Sequence, residues 1–542
     1  MRQGHEVLFG VNKLSASYVR HVIVLLKNFI RMPSPIKTAV ATVLSLSVAL
    51  HPWLASAQVS SKPLPRFGDG ADMSLAQERL IGQSVMTQLL RSPRLEQDPQ
   101  LTDYVAGIWS RLREGAIRQG LLTKDQEQQF TWELSLLREP DLNAFALPGG
   151  YMGMHLGLLA NVDNEAELAA VLAHELSHVS QRHIARMISK SEREAPLVLG
   201  AMILGLLIAG QSGAGAQALI TGSQAVGMAS QLGFSRDMER EADRMGLQVF
   251  TASGYEPQGF VGMFRQLGKA SRLYDTQSYP YLRSHPLTTE READALARVQ
   301  QLNAAKEPVA SFQFAMAKAR AQVLLASDLE LDRLTQIHSQ PRNDATRTQE
   351  ATSLYVRVMA EMRLHRLDKA MVAWQELDRL IPLPDVSRSW VQSLKAEMAL
   401  AQNKPGQALE ALGNGALQRA DRLLRNKALI SSGLEAQRRA AIEDLELMCA
   451  LNPKDAMAWD LVAKAWQDQG FILRALRAQA ESLHVRYDDK GALDRLQSAQ
   501  DMGDRMRSQG RLSPADWQDL EIIRSRWHSI NESLMALMKS RI

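Results

Sequence analysis

Cysteine is almost absent from this sequence, which contains one, Cys449, among 542 residues. A single cysteine cannot form an intramolecular disulfide, so a disulfide framework is excluded. A zinc site built from several thiolates is excluded for the same reason. Because 45% of the residues are apolar, disorder of the whole chain is also excluded, and the length indicates at least two domains.

Long apolar runs are also missing, since none reaches the roughly 20 residues that a membrane-spanning helix needs. Residues 39–50 form an uncharged run of 12, which follows Lys37 and precedes the small residues at 55–57. This layout is typical of a secretory signal peptide. We therefore interpret residues 1–57 as a leader, with Met32 as a candidate start and an uncleaved anchor as the alternative.

A second uncharged run, residues 197–209, has 13 residues and is also too short to cross a membrane. We interpret it as a buried or groove-covering helix. A membrane-embedded enzyme is disfavoured, because the chain after the leader lacks a spanning segment.

An excess of charge of one sign is missing once the leader is set aside. The whole chain has 63 basic and 59 acidic residues, a net charge of +4. Residues 1–57 hold six basic groups and one acidic group, so the remainder has 57 basic and 58 acidic groups, a net charge of −1. The basic character belongs to the leader, and no electrostatic case for nucleic-acid binding remains.

The first part of the mature chain predicts helices followed by a small β-sheet. Residues 58–72 are rich in Ser and Pro and are interpreted as a linker, and residues 73–120 show helical apolar spacing. A strand is predicted next by alternating apolar residues, Phe130, Trp132, Leu134 and Leu136. Gly149-Gly150 predicts a turn between two further strands, and Pro148, which has no N–H to donate, predicts an edge position for its strand.

Beyond about residue 310 the strand signals disappear and helical patterns continue. Small residues recur at intervals of 38, 33 and 34 positions, at Ala370, Ala408, Ala441 and Ala475. Pro382 and Pro453 each lie 12 residues after one of them. This spacing is similar to the tetratricopeptide repeat, which stacks into an α-solenoid with a protein-binding face, and an unrelated helical bundle is the alternative. We assign tetratricopeptide-like repeats to residues 306–500 and C-terminal helices to residues 501–542.

The motif His174-Glu175-x-x-His178 carries the strongest chemical signal. On a helix, residues four apart are separated by 400°, so the two imidazoles project from one face on successive turns. Two neutral imidazoles so placed can bind one zinc ion. Glu175 beside them can then take a proton from bound water.

The helix that carries this motif is predicted to begin at Asn164, which can cap it, and to run to about Met187. Glu167 lies three residues after the cap, in capping-box register. On such a helix His183 is 900° from His174 and lies on the opposite face. We therefore expect His183 to have a surface role.

A third protein ligand is needed, because a catalytic zinc site uses three and keeps one position open. Glu239 and Asp243 follow His178 by 61 and 65 residues and share a helix face. We expect Glu239 to bind zinc and Asp243 to accept a hydrogen bond from a ligand histidine. Ala242 favours close packing of the two helices, and Glu241 points away and is expected to be solvated. A charged surface helix is the alternative.

The sequence resembles the zinc metallopeptidase family that includes HtpX and the CAAX prenyl proteases in three motifs, namely His174-Glu175-x-x-His178, Glu239-x-x-Ala242-Asp243 and residues 143–150. The resemblance implies a gluzincin-type domain at residues 73–305, with one zinc ion per chain held by the two histidines and Glu239. Glu175 and Asp243 are the implied catalytic residues. The predicted fold class is mainly α with a small β-sheet, a metallopeptidase domain followed by a tetratricopeptide-like α-solenoid.

In exported family members with C-terminal repeats, a histidine of a His-Pro loop lies at the zinc. The resemblance therefore implies that His285, in Ser284-His285-Pro286-Leu287, is a fourth ligand or gate. Residues 278–286 are predicted to form a loop suited to a lid, and a structural loop histidine is the alternative. Arg291 is a candidate for binding substrate carbonyls or the oxyanion.

The chain is thus predicted to be a zinc metalloendopeptidase that holds an extended substrate along the edge strand at Phe145, Ala146 and Leu147. The resemblance implies a periplasmic enzyme in the quality control and assembly of outer-membrane proteins. Its implied partners are unfolded or misassembled outer-membrane proteins and the outer-membrane barrel assembly machinery, both reached through the repeats. The alternative is a chaperone or adaptor whose protease site is mostly gated.

Overall fold

A computed structural model of the protein describes residues 73–90, 92–190, 234–273, 280–302, 306–340, 346–381, 387–415 and 417–539. Several interpretations of the sequence concern other segments. The leader with its candidate start at Met32, the linker 58–72, the apolar run 197–209 and Pro382 lie outside the described residues.

Three helices lie in the first part of the described chain, α1 (Leu75–Leu90), α2 (Pro99–Arg118) and α3 (Lys124–Gln129). The carboxylate of Asp98 accepts a hydrogen bond from the backbone N–H of Leu101, and Pro99 occupies the first helical position, so α2 has a strong start. The helical spacing predicted for residues 73–120 is confirmed, and its apolar residues enter the core at Leu101, Val105, Ile108 and Leu112.

A four-stranded sheet is formed by β1 (Leu95–Glu96), β2 (Glu133–Leu137), β3 (Ala144–Leu147) and β4 (Tyr151–His155). The strand order is β1-β2-β4-β3, with β2 and β4 parallel and the outer pairs antiparallel. β3 is therefore an edge strand, as Pro148 predicted. The strand predicted from Phe130 begins only at Glu133, because Phe130 caps α3 and Trp132 adopts a positive φ of 54°.

After the sheet, the next four helices among the described residues are α4 (Leu156–Asn161), α5 (Glu165–Ser180), α6 (His183–Lys190) and α7 (Arg236–Ala252). Asn164 caps α5 as predicted, since its side chain accepts from the N–H of Glu167. The prediction that this helix reaches Met187 is wrong. It ends at Ser180, and Arg182, at a φ of 54°, turns the chain into α6.

α7 packs closely against α5, which is buried along its length. A β-carbon added at Gly246 of α7 would lie 3.3 Å from the Cα of His174, tighter than ordinary van der Waals contact. Ala242, one turn earlier, is fully buried. The predicted close approach is therefore made by two small residues rather than by Ala242 alone.

The described chain continues with α8 (Gln258–Leu273), α9 (Pro280–Ser284) and α10 (Thr289–Gln301). The loop predicted at residues 278–286 is wrong in part, because residues 280–284 form the short helix α9. Backbone N–H of His285 donates to the carbonyl of Tyr281 at 2.8 Å, so this helix fixes the start of the His-Pro segment.

From residue 312 onwards the described chain is helical, which confirms the predicted fold class. The helices are α11 (Phe312–Leu325), α12 (Asp328–Ile337), α13 (Arg347–Arg363), α14 (Leu367–Leu380), α15 (Arg388–Ala401), α16 (Pro405–Leu412), α17 (Arg419–Ser431), α18 (Glu435–Leu451), α19 (Ala456–Asp468), α20 (Ile472–Val485), α21 (Asp489–Ser508) and α22 (Pro514–Lys539). The recurring small residues are buried in every second helix, at Ala370, Ala408, Ala441 and Ala475. Small side chains there let each helix pack against its partner.

The helical array, which consists of α11 to α22, packs against the start of α2 through buried and half-buried polar contacts. Arg320 of α11 donates to Asp98 at 2.6 Å and to Glu397 of α15 at 2.7 Å. Arg419 of α17 pairs with Asp103 at 2.6 Å. Among the helices of the described residues, none combines the length and apolar character that crossing a membrane requires.

Candidate metal centre

Four side chains direct donor atoms to one buried point. His174 and His178 come from α5, Glu239 comes from the first turn of α7, and His285 follows α9. One ligand atom from each of the four lies within 4.8 Å of the others, and all four side chains are buried. The structure therefore brings together the three predicted ligands and the predicted gate.

The separations between these atoms suit a tetrahedral metal site. His174 Nε2 lies 3.0 Å from His178 Nε2 and 3.3 Å from His285 Nδ1. Glu239 Oε1 lies 3.4 Å from His178 Nε2 and 2.9 Å from His285 Nδ1. Zinc bonds of about 2.0–2.1 Å in a tetrahedron place ligand atoms about 3.3 Å apart, so the donor set fits zinc.

The electrostatics of the cluster favour a cation at its centre. Burial opposes charge on His174, but hydrogen bonds to Asp243 and Glu239 outweigh it and raise the pKa of His174 to about 9. Burial also opposes ionisation of Glu239, yet His285 and His174 hold its pKa well below the usual range. Burial lowers the pKa of His178 well below its usual value, so His178 is neutral and suited to bind a metal ion.

Asp243 has the position that the sequence predicted for it. Its Oδ1 lies 2.9 Å from Nδ1 of His174, so it fixes the tautomer in which Nε2 faces the centre. Arg291 donates from Nε to Oδ2 at 2.7 Å and from Nη2 to Oδ1 at 2.8 Å. Burial opposes ionisation of Asp243, but the Arg291 and His174 contacts lower its pKa below the usual value.

Arg291 is engaged inside the site rather than directed to an open cleft. Besides Asp243, it contacts Glu239 Oε2 at 2.7 Å and donates to the carbonyl of Pro286 at 2.9 Å. Its predicted contact with substrate carbonyls would require these bonds to break. In the structure Arg291 instead joins two carboxylates of α7 to the His-Pro segment.

Glu175 lies beside the donor atoms and against β3. Its Oε1 is 3.4 Å from Nε2 of His285, and its carboxylate accepts a hydrogen bond from the backbone N–H of Ala146. Burial, the largest influence, raises the pKa of Glu175 above its usual value. A carboxylate in this place can accept a proton from a group bound at the centre.

The expected surface role of His183 is wrong, because the side chain is fully buried. Its Nδ1 lies 2.8 Å from Nδ1 of His178, and its Nε2 lies 3.1 Å from Oε2 of Glu241. The expected solvation of Glu241 is wrong as well, since Arg186 of α6 also contacts it, at 3.0 Å. The helical wheel failed here because the chain turns at Arg182 before His183.

Aromatic rings hold His285 in place, and sequence reasoning missed them. Tyr281 stacks on its imidazole with ring centroids 4.7 Å apart, and Phe234 stacks on it at 5.1 Å. Phe234 also lies 3.9 Å from the ring of His178. The interval of four between Tyr281 and His285 is a helical spacing that the loop prediction obscured.

The three residues predicted to bind substrate lie in β3, which packs against α5. The side chains of Phe145, Ala146 and Leu147 are all buried. Asn143 and His155 form a backbone hydrogen bond of 3.0 Å, so the alternation along β3 directs the backbone groups of Ala144 and Ala146 away from β4. What β3 offers at its open edge is therefore backbone rather than side chains.

Comparisons with known proteins agree with this geometry. The family model for peptidase family M48 matches residues 113–299. The beta-barrel assembly-enhancing protease of Yersinia pestis is 30% identical over 453 residues, which cover 82% of this chain and 90% of the relative. The protein of the same name from Escherichia coli K12 is 30% identical over 81% of this chain and 87% of the relative.

A more distant relative shares a shorter segment. The mitochondrial metalloendopeptidase OMA1 of Arabidopsis thaliana is 33% identical over 163 residues, which make up 30% of each chain. All of these relatives carry names of proteases, and the family match includes every donor residue of the cluster. The chain therefore belongs to peptidase family M48 and is a metalloprotease.

Proposed function

We propose that the protein is a periplasmic zinc metalloendopeptidase that acts in the assembly and quality control of outer-membrane proteins. The observation that carries the catalytic part is Glu175, which lies beside three imidazoles and a carboxylate directed to one point. The name of the Yersinia and Escherichia relatives supports the biological part. The signal-peptide pattern in residues 1–57 supports export.

His174, His178 and Glu239 would hold one zinc ion per chain. When bound, zinc supplies a Lewis acid that polarises the scissile carbonyl and lowers the pKa of a coordinated water. Asp243 keeps His174 in the tautomer that offers Nε2 to the metal. Arg291 balances the negative charge that Glu239 and Asp243 bring into the interior.

Glu175 is the proton carrier in this proposal. Its carboxylate accepts a proton from the attacking water and delivers it to the amine that leaves when the peptide bond breaks. The hydrogen bond from Ala146 N–H orients the carboxylate and joins it to the edge strand. The side chain is buried, so the carboxylate is shielded from bulk solvent and meets only a water molecule that is held at the centre.

The edge of β3 would bind the substrate in an extended conformation. The outward backbone groups of β3 would form ladder hydrogen bonds with a peptide of nearly any sequence, except for the Ala146 N–H, which donates to Glu175. Ala146 belongs to this edge and also contacts Glu175. A peptide bound along the edge would therefore lie next to the carboxylate of Glu175. Selectivity for the substrate would then come from the helical array. Its helices would act as tetratricopeptide-like repeats that recruit unfolded outer-membrane proteins and the barrel assembly machinery.

A second role, as a chaperone or adaptor, is favoured by the position of His285. Its Nδ1 occupies the fourth corner of the donor cluster, where a catalytic zinc site keeps an open position. We propose that His285 acts as a gate and that the protein binds clients through its repeats while the gate is closed. Both roles are compatible with one chain.

The test uses the purified protein with an unfolded outer-membrane protein as substrate. We expect Glu175→Gln to lower cleavage by at least a hundredfold, because a positioned proton carrier contributes factors of this size, while one zinc ion per chain is retained. Cleavage at the wild-type rate by the zinc-loaded variant would overturn the mechanism. In cells, Glu175→Gln should trap clients for crosslinking, and normal assembly in its presence would favour the chaperone role.

A further inference from the structure

The two metal-facing histidines of α5 are supported in different ways. His174 contacts the carboxylate of Asp243 directly, with Nδ1 2.9 Å from Oδ1. Behind His178 lies a second imidazole, His183, with its Nδ1 2.8 Å from Nδ1 of His178. The carboxylate on this side, Glu241, lies one step further out, with Oε2 3.1 Å from Nε2 of His183.

The positions of the protons along this chain follow from hydrogen-bond chemistry. Nε2 of His178 faces the centre and must carry a lone pair to bind a metal, so the proton of the neutral ring is on Nδ1. That N–H donates to Nδ1 of His183, which leaves the proton of His183 on Nε2. Nε2–H then donates to Glu241, and each step has a donor and an acceptor.

Glu241 is fixed in turn by a cation on the same helix as His183. Arg186 of α6 contacts Oε2 of Glu241 at 3.0 Å, three residues after His183. The chain of contacts therefore runs from the metal centre through two imidazoles and a carboxylate to a guanidinium. His183 is fully buried and Glu241 is 9% exposed, so water does not replace these contacts.

We propose that His183 and Glu241 are positioning residues of the metal centre that hold His178 in the orientation and tautomer for metal binding. This rests on the proposed zinc site. The first two turns of α7 then supply a ligand, Glu239, and two supporting carboxylates, Asp243 for His174 and Glu241 for His178 through His183. The sharp turn at Arg182 makes these contacts possible, because it brings His183, the first residue of α6, back against His178 of α5.

A set of single variants of the full chain tests the assignment, with zinc itself as the probe. The zinc dissociation constant is measured by competition with a chromophoric chelator, and the cobalt-substituted protein reports ligand geometry through its visible absorption. His183→Leu removes the acceptor and should weaken zinc binding by about 10- to 100-fold, the usual effect of losing such a partner. Asp243→Asn serves as the reference, because it removes the charged partner of His174, the other metal-facing histidine.

Two milder variants keep the test independent of folding. His183→Asn retains an oxygen near the place of Nδ1, so it should lose less affinity than His183→Leu. Glu241→Gln keeps an acceptor for His183 but removes the charge, and should weaken zinc binding less than Glu241→Leu. A graded loss in this order, with an altered cobalt spectrum for His183→Leu, supports the proposal.

The matched control is His155→Leu, which removes another buried histidine from the same domain. It should lower the melting temperature without changing the zinc dissociation constant. If His183→Leu behaves as His155→Leu does, with the wild-type zinc affinity and cobalt spectrum, His183 is only a core residue and the proposal is overturned. If wild-type protein binds no zinc, the proposed function fails with it, whereas zinc binding with unaffected variants refutes the positioning role alone.

Discussion

Arg291 and Asp243 form a bidentate ion pair directly behind His174, one of the two metal-facing histidines of α5. The Nε and Nη2 groups of Arg291 donate to the two carboxylate oxygens at 2.7 and 2.8 Å. Two parallel hydrogen bonds fix the plane of the carboxylate, and so the direction in which it meets His174. The orientation of His174 therefore depends on Arg291 of α10, a helix that is distant in sequence from α5.

We expect Asp243→Asn to weaken zinc binding by about 10- to 100-fold, because the amide loses the charge that holds the His174 tautomer and balances Arg291. The dissociation constant is measured by chelator competition on the purified chain. Asp237→Asn is the matched control, since it makes the same change on α7 at a side chain that is 93% exposed. Equal zinc affinity in the two variants would contradict a role of Asp243 in the site.

The gate is tested by His285→Ala, which removes the fourth donor and leaves His174, His178 and Glu239. Peptidase activity should rise, and a rise of about tenfold would correspond to a site that is open about one tenth of the time. Zinc content is measured in parallel, and His484→Ala in the helical array serves as the control. Lower activity with zinc retained would refute the gate and show that His285 assists catalysis.

Much of the metal centre could be predicted because its pattern is local. The intervals between His174 and His178 and between Glu239 and Asp243 lie within single helices, where a fixed rotation per residue determines which side chains share a face. The edge position of β3 followed from Pro148, which lacks a donor. Such rules need only short segments of sequence.

The rest depends on contacts that no local rule contains. The helical-wheel argument that placed His183 on the far face assumed a continuous helix. That helix is interrupted at Arg182, whose backbone has a left-handed conformation. Arg291 meets Asp243 across 48 residues, and Arg320 meets Asp98 across 222. Burial of such polar groups is possible only when a partner arrives from elsewhere in the fold.

His155 of β4 predicts a dependence of stability on pH. Burial, helped by the charge of Arg94, lowers the pKa of His155 from 6.5 to about 4. Between these values the unfolded chain takes up a proton that the folded chain does not, so this histidine reduces stability as the pH falls from 6.5 to 4. The full loss in the free energy of unfolding from this histidine is on the order of 3 kcal/mol.

The check is urea unfolding of wild type and His155→Phe at a series of pH values. Phe keeps a ring against Phe145 but does not titrate. Other histidines contribute equally to both proteins, so the difference in unfolding free energy isolates this position. An identical loss of stability on acidification in the two proteins would contradict the assignment.

Arg320 predicts how firmly the helical array is fixed to the catalytic part of the chain. Its buried guanidinium lies between Asp98, the cap of α2, and Glu397 of α15. Removal of the cation leaves these carboxylates without their partner in a poorly hydrated place, which typically costs about 3–5 kcal/mol. We therefore expect Arg320→Leu to lower the urea midpoint markedly, whereas Arg439→Leu, which breaks the exposed pair with Glu435, should leave it nearly unchanged. If both variants unfolded at the wild-type midpoint, the contacts of Arg320 would contribute nothing to stability, and other contacts, such as the pair of Arg419 with Asp103, would hold the two parts together.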